Sequence, residues 1–150
     1  MIQFASYDSP FGPLEIGYDE NCIVSIRSCE QKNAHSPSSV SDAAYEQLQE
    51  YFGKRRTAFD LPIKPQGTPF QQSVWKCLLD IPYGEVRTYK QIAATIGNLK
   101  ACRAVGQAIN KNPLWIVIPC HRVVGSDRSL TGYAGGLHMK QTLLNLEHTE

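Results

Sequence analysis

The sequence predicts an α+β fold: an N-terminal three-stranded antiparallel sheet with one helix, then a mostly α, winged-helix-like domain that carries a helix-turn-helix. Short β-rich runs divided by Pro/Gly turns fill the start of the chain, and capped helical periodicities fill its second half. Between them Leu61-Pro62-Ile63-Lys64-Pro65-Gln66-Gly67 concentrates Pro and Gly, and the charge balance changes sign across it. The domains read from these signals are residues 1–64 and 65–150.

Residues 2–7, 14–18 and 22–27 are the strand candidates, separated by Asp8-Ser9-Pro10-Phe11-Gly12-Pro13 and Asp19-Glu20-Asn21. The polar, serine-rich stretch Asn33–Ser41 reads as a loop, and Asp42 as the N-cap of a helix to about Phe52 with Ala44, Leu48 and Tyr51/Phe52 on one face. After the linker, Thr68, Pro69 and Gln71 form a capping box with proline at the first helical position. Phe70, Val74, Cys77, Leu78 and Ile81 make its apolar stripe, and Pro82-Tyr83-Gly84 stops it. A second capping box, Thr88-Tyr89-Lys90-Gln91, opens a short helix to about Ile96. Gly97 turns, Asn98 caps, and a third helix runs from Leu99 to about Asn110. Its apolar side is Cys102, Val105 and Ile109; another side carries Lys100, Arg103, Gln107 and Lys111 among Ala101, Ala104, Gly106 and Ala108. Basic charge beside small residues favours contact with DNA over close helix packing, which small residues also serve. A last helix spans Leu137 to about Glu147.

Composition narrows the function classes. Hydrophobic residues make up 42% and charged residues 19%, which suits a packed core in water. No basic leader precedes an apolar stretch, and nothing approaches the ~20 apolar residues of a membrane span. A cytoplasmic protein is expected, or a nuclear one in a eukaryote. The five cysteines include no CxxC pair, which suits a reducing compartment. Cys22, Cys29 and His35 match no zinc spacing, so no metal is expected. Residues 1–64 hold six basic and nine acidic residues, net −3; residues 65–150 hold nine and five, net +4. Between Glu85 and Asp127 lie six basic residues and no acidic one. That interval would attract a polyanion, or be a solvated face.

The chemistry concentrates at Ile116-Val117-Ile118-Pro119-Cys120-His121-Arg122-Val123-Val124. An apolar run of strand length must stop or turn at Pro119, which cannot donate to a ladder. Cys120 is thus presented where regular structure ends, beside a group that titrates near neutral pH and a permanent cation. Neighbouring positive charge would raise its thiolate fraction. A small buried hydrophobe is the other reading.

Ile118-Pro119-Cys120-His121-Arg122-Val123 resembles the active-site motif of the 6-O-alkylguanine-DNA alkyltransferases, the methylated-DNA–protein-cysteine methyltransferases. Thr68-Pro69-Phe70-Gln71, Ile81-Pro82-Tyr83-Gly84, Thr88-Tyr89, Arg103-Ala104-Val105-Gly106, Asn112-Pro113, Gly132-Tyr133-Ala134-Gly135-Gly136 and Leu143-Leu144 with Glu147 follow in that family's order and spacing. The likeness covers residues 65–150; before that only Asp8-Ser9-Pro10-Phe11-Gly12 carries it.

The resemblance implies a single-turnover repair protein without a cofactor. An alkylated guanine in double-stranded DNA is swung out of the duplex, and Cys120 takes the alkyl group irreversibly from its 6-oxygen, and from the 4-oxygen of thymine. It implies that His121 acts as base through a water, that Glu147 orients His121, and that Asn112 ties the helix-turn-helix to the cysteine turn. Tyr89 would stand by the flipped nucleotide and Arg103 would fill the vacated stack, with Lys100, Ala104 and Gln107 on the DNA face. Tyr133, Ala134 and Gly135 would wall the pocket, with Ile109, Trp115 and Val123 as further wall candidates. Arg122 would be structural, bridging the two parts. Ala134 departs from relatives that carry serine there, and the cysteine and histidine pattern that binds zinc in some relatives is absent. The expected partner is duplex DNA, bound by a monomer and not at a membrane. The alternative is a helix-turn-helix protein that binds or flags lesions without using the thiol; a cysteine protease lacks any oxyanion hole here.

Overall fold

A computed structural model gives the structure and describes residues 1–30, 35–127 and 132–148. The chain divides into two compact units, Met1–Gln66 and Gly67–Glu150. No helix among the described residues is long and apolar enough to cross a membrane.

In the first unit, β1 (Gln3–Tyr7), β2 (Leu14–Asp19) and β3 (Cys22–Ser28) form an antiparallel sheet in that order. The register pairs Ala5 with Ile16 and Ile16 with Ile26, so one face gathers apolar side chains. Against it packs α1 (Ser39–Phe52), whose Ala44, Leu48 and Tyr51 are fully buried. The helix begins earlier than Asp42. Ser38 is the N-cap, accepting from the Ser41 amide while the Ser41 hydroxyl accepts from the Ser38 amide. The serines read as loop residues are themselves good caps. Asp42 instead accepts the Tyr7 hydroxyl at 2.7 Å, tying β1 to α1. Part of the expected linker is also paired: Ile23 donates to the Pro62 carbonyl and accepts from the Lys64 amide, each at 2.8 Å.

The second unit is mostly helical: α2 (Pro69–Leu79), β4 (Arg87–Thr88), α3 (Tyr89–Thr95), α4 (Cys102–Asn110), β5 (Val123–Val124) and α5 (Leu137–His148). The boxes at Thr68/Gln71 and Thr88/Gln91 both form. The third helix divides at its start, where Leu99–Ala101 is a 3-10 turn capped by Asn98 ahead of α4. Its buried side is Ala101, Val105, Ala108 and Ile109, with Cys102 half-buried. On α2 the core residues are Val74, Trp75 and Leu78; Phe70, assigned to the stripe, is exposed and Cys77 half-buried. The two-residue strands β4 and β5 pair in parallel, Arg87 with Val123, a contact too short to carry a sequence pattern.

Trp75 locks α2 to α4: its indole N–H donates 2.8 Å to the Ala108 carbonyl inside the core. Trp75→Phe keeps most of the apolar bulk but leaves that carbonyl only the longer bond from the Lys111 amide, 3.2 Å, at a cost of about 0.5–1.5 kcal/mol. Urea unfolding of the purified variant should show the midpoint falling by the corresponding amount.

Candidate active site

The run Ile116–Ile118 is no strand. Val117 donates to the Trp115 carbonyl at 2.9 Å across Ile116, whose φ is +75°, and Ile118 donates to Leu114 at 3.0 Å. A β-branched residue rarely tolerates positive φ, at a cost of about 1–3 kcal/mol. A second three-residue turn follows at once: Cys120 donates to the Ile118 carbonyl at 2.7 Å across Pro119, at φ −80° and ψ 64°. Proline suits this inverse γ-turn because its ring holds φ and it has no N–H to satisfy. The chain then makes one 3-10 turn, Cys120–Arg122, and enters β5.

Asn112, just beyond α4, braces the loop. Its amide nitrogen donates to the Ile118 carbonyl at 2.9 Å and to Cys120 Sγ at 3.1 Å, and its oxygen accepts from the Leu114 amide at 2.9 Å. Cys120 is 1% exposed. Burial pushes the Cys120 thiol up to about 11, against the Asn112 amide and the charge of Lys140. The sequence suggested instead a thiol acidified by its histidine and arginine neighbours. Both of those side chains turn to Glu147, so desolvation wins and the thiol rests protonated.

Glu147, on α5, is the meeting point. Its carboxylate lies 2.6 Å from His121 Nε2 and accepts from Arg122 Nε at 2.8 Å and Nη2 at 3.0 Å. The backbone N–H of Gly84 adds a longer contact of 3.4 Å. Arg122 donates its remaining nitrogen to the Ile81 carbonyl at 2.7 Å, so its structural role is played within the second unit. Burial pulls the His121 imidazole below its usual range, with Glu147 acting against it. A neutral imidazole beside an acceptor-only carboxylate places its proton on Nε2. That leaves Nδ1, buried and without a partner among the described residues, with a free lone pair.

The remaining predicted residues divide. Tyr89 begins α3; its hydroxyl donates to the Gly132 carbonyl at 3.4 Å, and a Cβ on Gly106 would come within 3.9 Å of its ring. Tyr133 is buried, helps to hold the Cys120 thiol down, and has its ring centre 6.2 Å from that of Trp115. Gly135 is pressed against both, since a Cβ there would lie 2.8 Å from Tyr133 and 3.2 Å from Trp115. Ile109 and Val123 are core residues, while Ala134 is exposed. Lys100, Arg103, Ala104 and Gln107 are all exposed, as is Lys111. Sequence reasoning missed Lys140, which is fully buried and donates to the Val123 carbonyl. The signal was present: Lys140 falls in the stripe Met139, Leu143, Leu144, Glu147, where a lysine is out of place.

Known proteins resemble this chain along its length. The family described as "6-O-methylguanine DNA methyltransferase, DNA binding domain" matches residues 69–149, and "6-O-methylguanine DNA methyltransferase, ribonuclease-like domain" matches residues 2–65. A methylated-DNA–protein-cysteine methyltransferase of Methanosarcina acetivorans is 45% identical over 153 residues, covering 97% of this chain and 98% of its own. The constitutive one of Bacillus subtilis is 43% identical, covering 98% and 96%. The crystal structure of Mycobacterium tuberculosis OGT in complex with DNA superposes with a TM-score of 0.91 at 44% identity, over 97% of this chain and 92% of that one. With both halves matched and such identity sustained from end to end, the chain belongs to the 6-O-methylguanine DNA methyltransferase family.

Proposed function

We infer that this protein repairs DNA directly, moving an alkyl group from the 6-oxygen of guanine to its own Cys120. The observation that carries the assignment to Cys120 is a buried thiol, braced by Asn112, next to a histidine whose outer nitrogen is committed to Glu147. The relatives named above as methylated-DNA–protein-cysteine methyltransferases support the reaction, and the OGT complex supports DNA as the partner.

The geometry supports the following chemistry. A thiol 1% exposed cannot reach a stacked base, so the guanine must swing out, at a cost of a few kcal/mol. Tyr133, Gly135 and Trp115 form the wall that receives it. His121 Nδ1 takes the Cys120 proton, through a water, and Glu147 offsets the positive charge that develops on the ring. The thiolate attacks the alkyl carbon, the carbon–oxygen bond breaks, and the guanine leaves with a proton in place of the alkyl group. The Tyr89 hydroxyl exchanges its long bond to the Gly132 carbonyl for one to that leaving base. A thioether is stable in water, so each chain acts once, as a monomer on duplex DNA. The exposed face of α4 (Lys100, Arg103, Ala104 and Gln107) lies on the duplex, with Arg103 filling the vacated stack.

Incubation with a duplex containing 6-O-methylguanine should add one methylene per chain, located on Cys120 by peptide mass; an unchanged mass rejects the reading. Cys120→Ala should abolish that gain while keeping DNA affinity, which a lesion-flagging protein would not need the thiol to do. Affinity should drop more than about tenfold between about 50 and about 200 mM salt, because phosphate contacts dominate; fluorescence anisotropy measures it. Glu147→Gln should slow transfer by about a hundredfold or more in rapid-quench assays. It should also lower unfolding stability by about 3–5 kcal/mol, since Arg122 is left buried without its counter-charge.

A further inference from the structure

Glu147 is the next-to-last residue of α5, in the turn where a helix leaves its carbonyls unpaired and frays. A carboxylate that has to stay 2.6 Å from an imidazole needs that helix end held. Arg122 grips the carboxylate at its tip, but the stem behind it is flexible and its root moves with the backbone of the last turn. That backbone meets the tight turn after α2. Glu85 donates to the Pro82 carbonyl at 3.1 Å and Gly84 takes φ +82° at the third position, as a type II turn requires. Three contacts among the described residues join this turn to the end of α5. The Tyr83 hydroxyl donates to the Leu146 carbonyl at 3.5 Å, the Gly84 amide reaches Glu147 Oε1 at 3.4 Å, and His148 Nε2 donates to the Gly84 carbonyl at 2.8 Å. Only the last has the length of a good hydrogen bond. We propose that His148 is a positioning residue for the transfer: by latching the end of α5 to the Gly84 carbonyl, it keeps Glu147 in register with His121. This rests on the reading of Cys120 as the alkyl acceptor and adds to its site an exposed residue that touches none of the reacting atoms.

A carbonyl only accepts, so the His148 ring carries its proton on Nε2 in this contact. Gly84 is thereby held on both sides by adjacent residues of α5, its N–H by the Glu147 carboxylate and its C=O by His148. Successive helical residues point about 100° apart, so the turn sits astride the helix end and registers its rotation as well as its height. The same turn is tied to the cysteine turn from the other side. Arg122 donates to the Ile81 carbonyl at 2.7 Å and stands 5.8 Å from the centre of the Tyr83 ring. The contacts close a ring: from the cysteine turn through Arg122 to residues 81–84, through His148 to the end of α5, and through Glu147 back to His121. Without His148 the ring is closed only by the two long contacts. A shift of about 1 Å at a group that serves the chemistry can slow it by as much as a hundredfold.

The test compares wild type, His148→Ala and His148→Gln by two readouts. The glutamine amide nitrogen lies as many bonds from the backbone as imidazole Nε2 and can donate to the same carbonyl. One readout is the His121 Nε2 proton in the NMR spectrum of the DNA-free protein, whose downfield position reports the short bond to Glu147. The other is single-turnover transfer from a 6-O-methylguanine duplex, with urea unfolding measured alongside. His148→Ala should move the His121 resonance upfield and quicken its exchange with water. It should also slow transfer about threefold to tenfold, the scale of one net hydrogen bond, at unchanged DNA affinity. His148→Gln should restore both the resonance and the rate. An unmoved His121 resonance in His148→Ala, a rate lost only in step with stability, or a glutamine variant as slow as the alanine one overturns the proposal. Wild type that shows the short His121 bond yet never accepts methyl from DNA overturns the function reading instead, and the resonance of the variants still judges the latch.

Discussion

The Glu147 carboxylate sits between a guanidinium and an imidazole, 2.8 Å from Arg122 Nε and 2.6 Å from His121 Nε2. Both donors belong to the single 3-10 turn that begins with Cys120. Two charges are taken out of water here, which is costly unless geometry and extra bonds compensate. Arg122 is used two-pronged and also meets the Ile81 carbonyl; Glu147 also meets the Gly84 amide. One pairing therefore fastens α5, the loop after α2 and the cysteine turn together, and fixes which imidazole nitrogen is left for chemistry.

The other half of the site is made by backbone geometry. Two successive three-residue turns, at Ile116 and Pro119, reverse the chain twice within a few residues. Such turns leave carbonyls and amides without ladder partners, and the Asn112 side chain supplies them. The same amide holds the sulfur, so the brace that stabilises the loop also aims the nucleophile. Strain at Ile116 persists because buried neighbours on both sides, Leu114 and Ile118, anchor the turn.

Local signals were legible. Both capping boxes of the second unit and the meander of the first follow from residue type and spacing, because caps and turns are decided within four residues. Where two local rules competed, the reading failed: serines 36–41 suit loops and caps alike, and Ser38 is a cap. The run Ile116–Ile118 has strand composition, but Val117 and Ile118 bond back to Trp115 and Leu114, so turn geometry overrode propensity. The neighbours of Cys120 in sequence suggested an activated thiol, whereas their side chains turn to a carboxylate 25 and 26 residues away. Lys140 was marked by its place in the apolar stripe of α5, but its partner, the Val123 carbonyl, lies 17 residues away.

All of the chemistry assigned to Cys120 depends on His121 carrying its proton on Nε2, toward Glu147, and keeping Nδ1 open. Nitrogen-15 NMR of the DNA-free protein, with His121 assigned by substitution, reads this directly at pH 7. The account requires a neutral ring with a bare Nδ1 and a protonated Nε2, unchanged as pH falls through about 6.5, where a free histidine would charge. A proton on Nδ1, or an imidazolium at neutral pH, would contradict it.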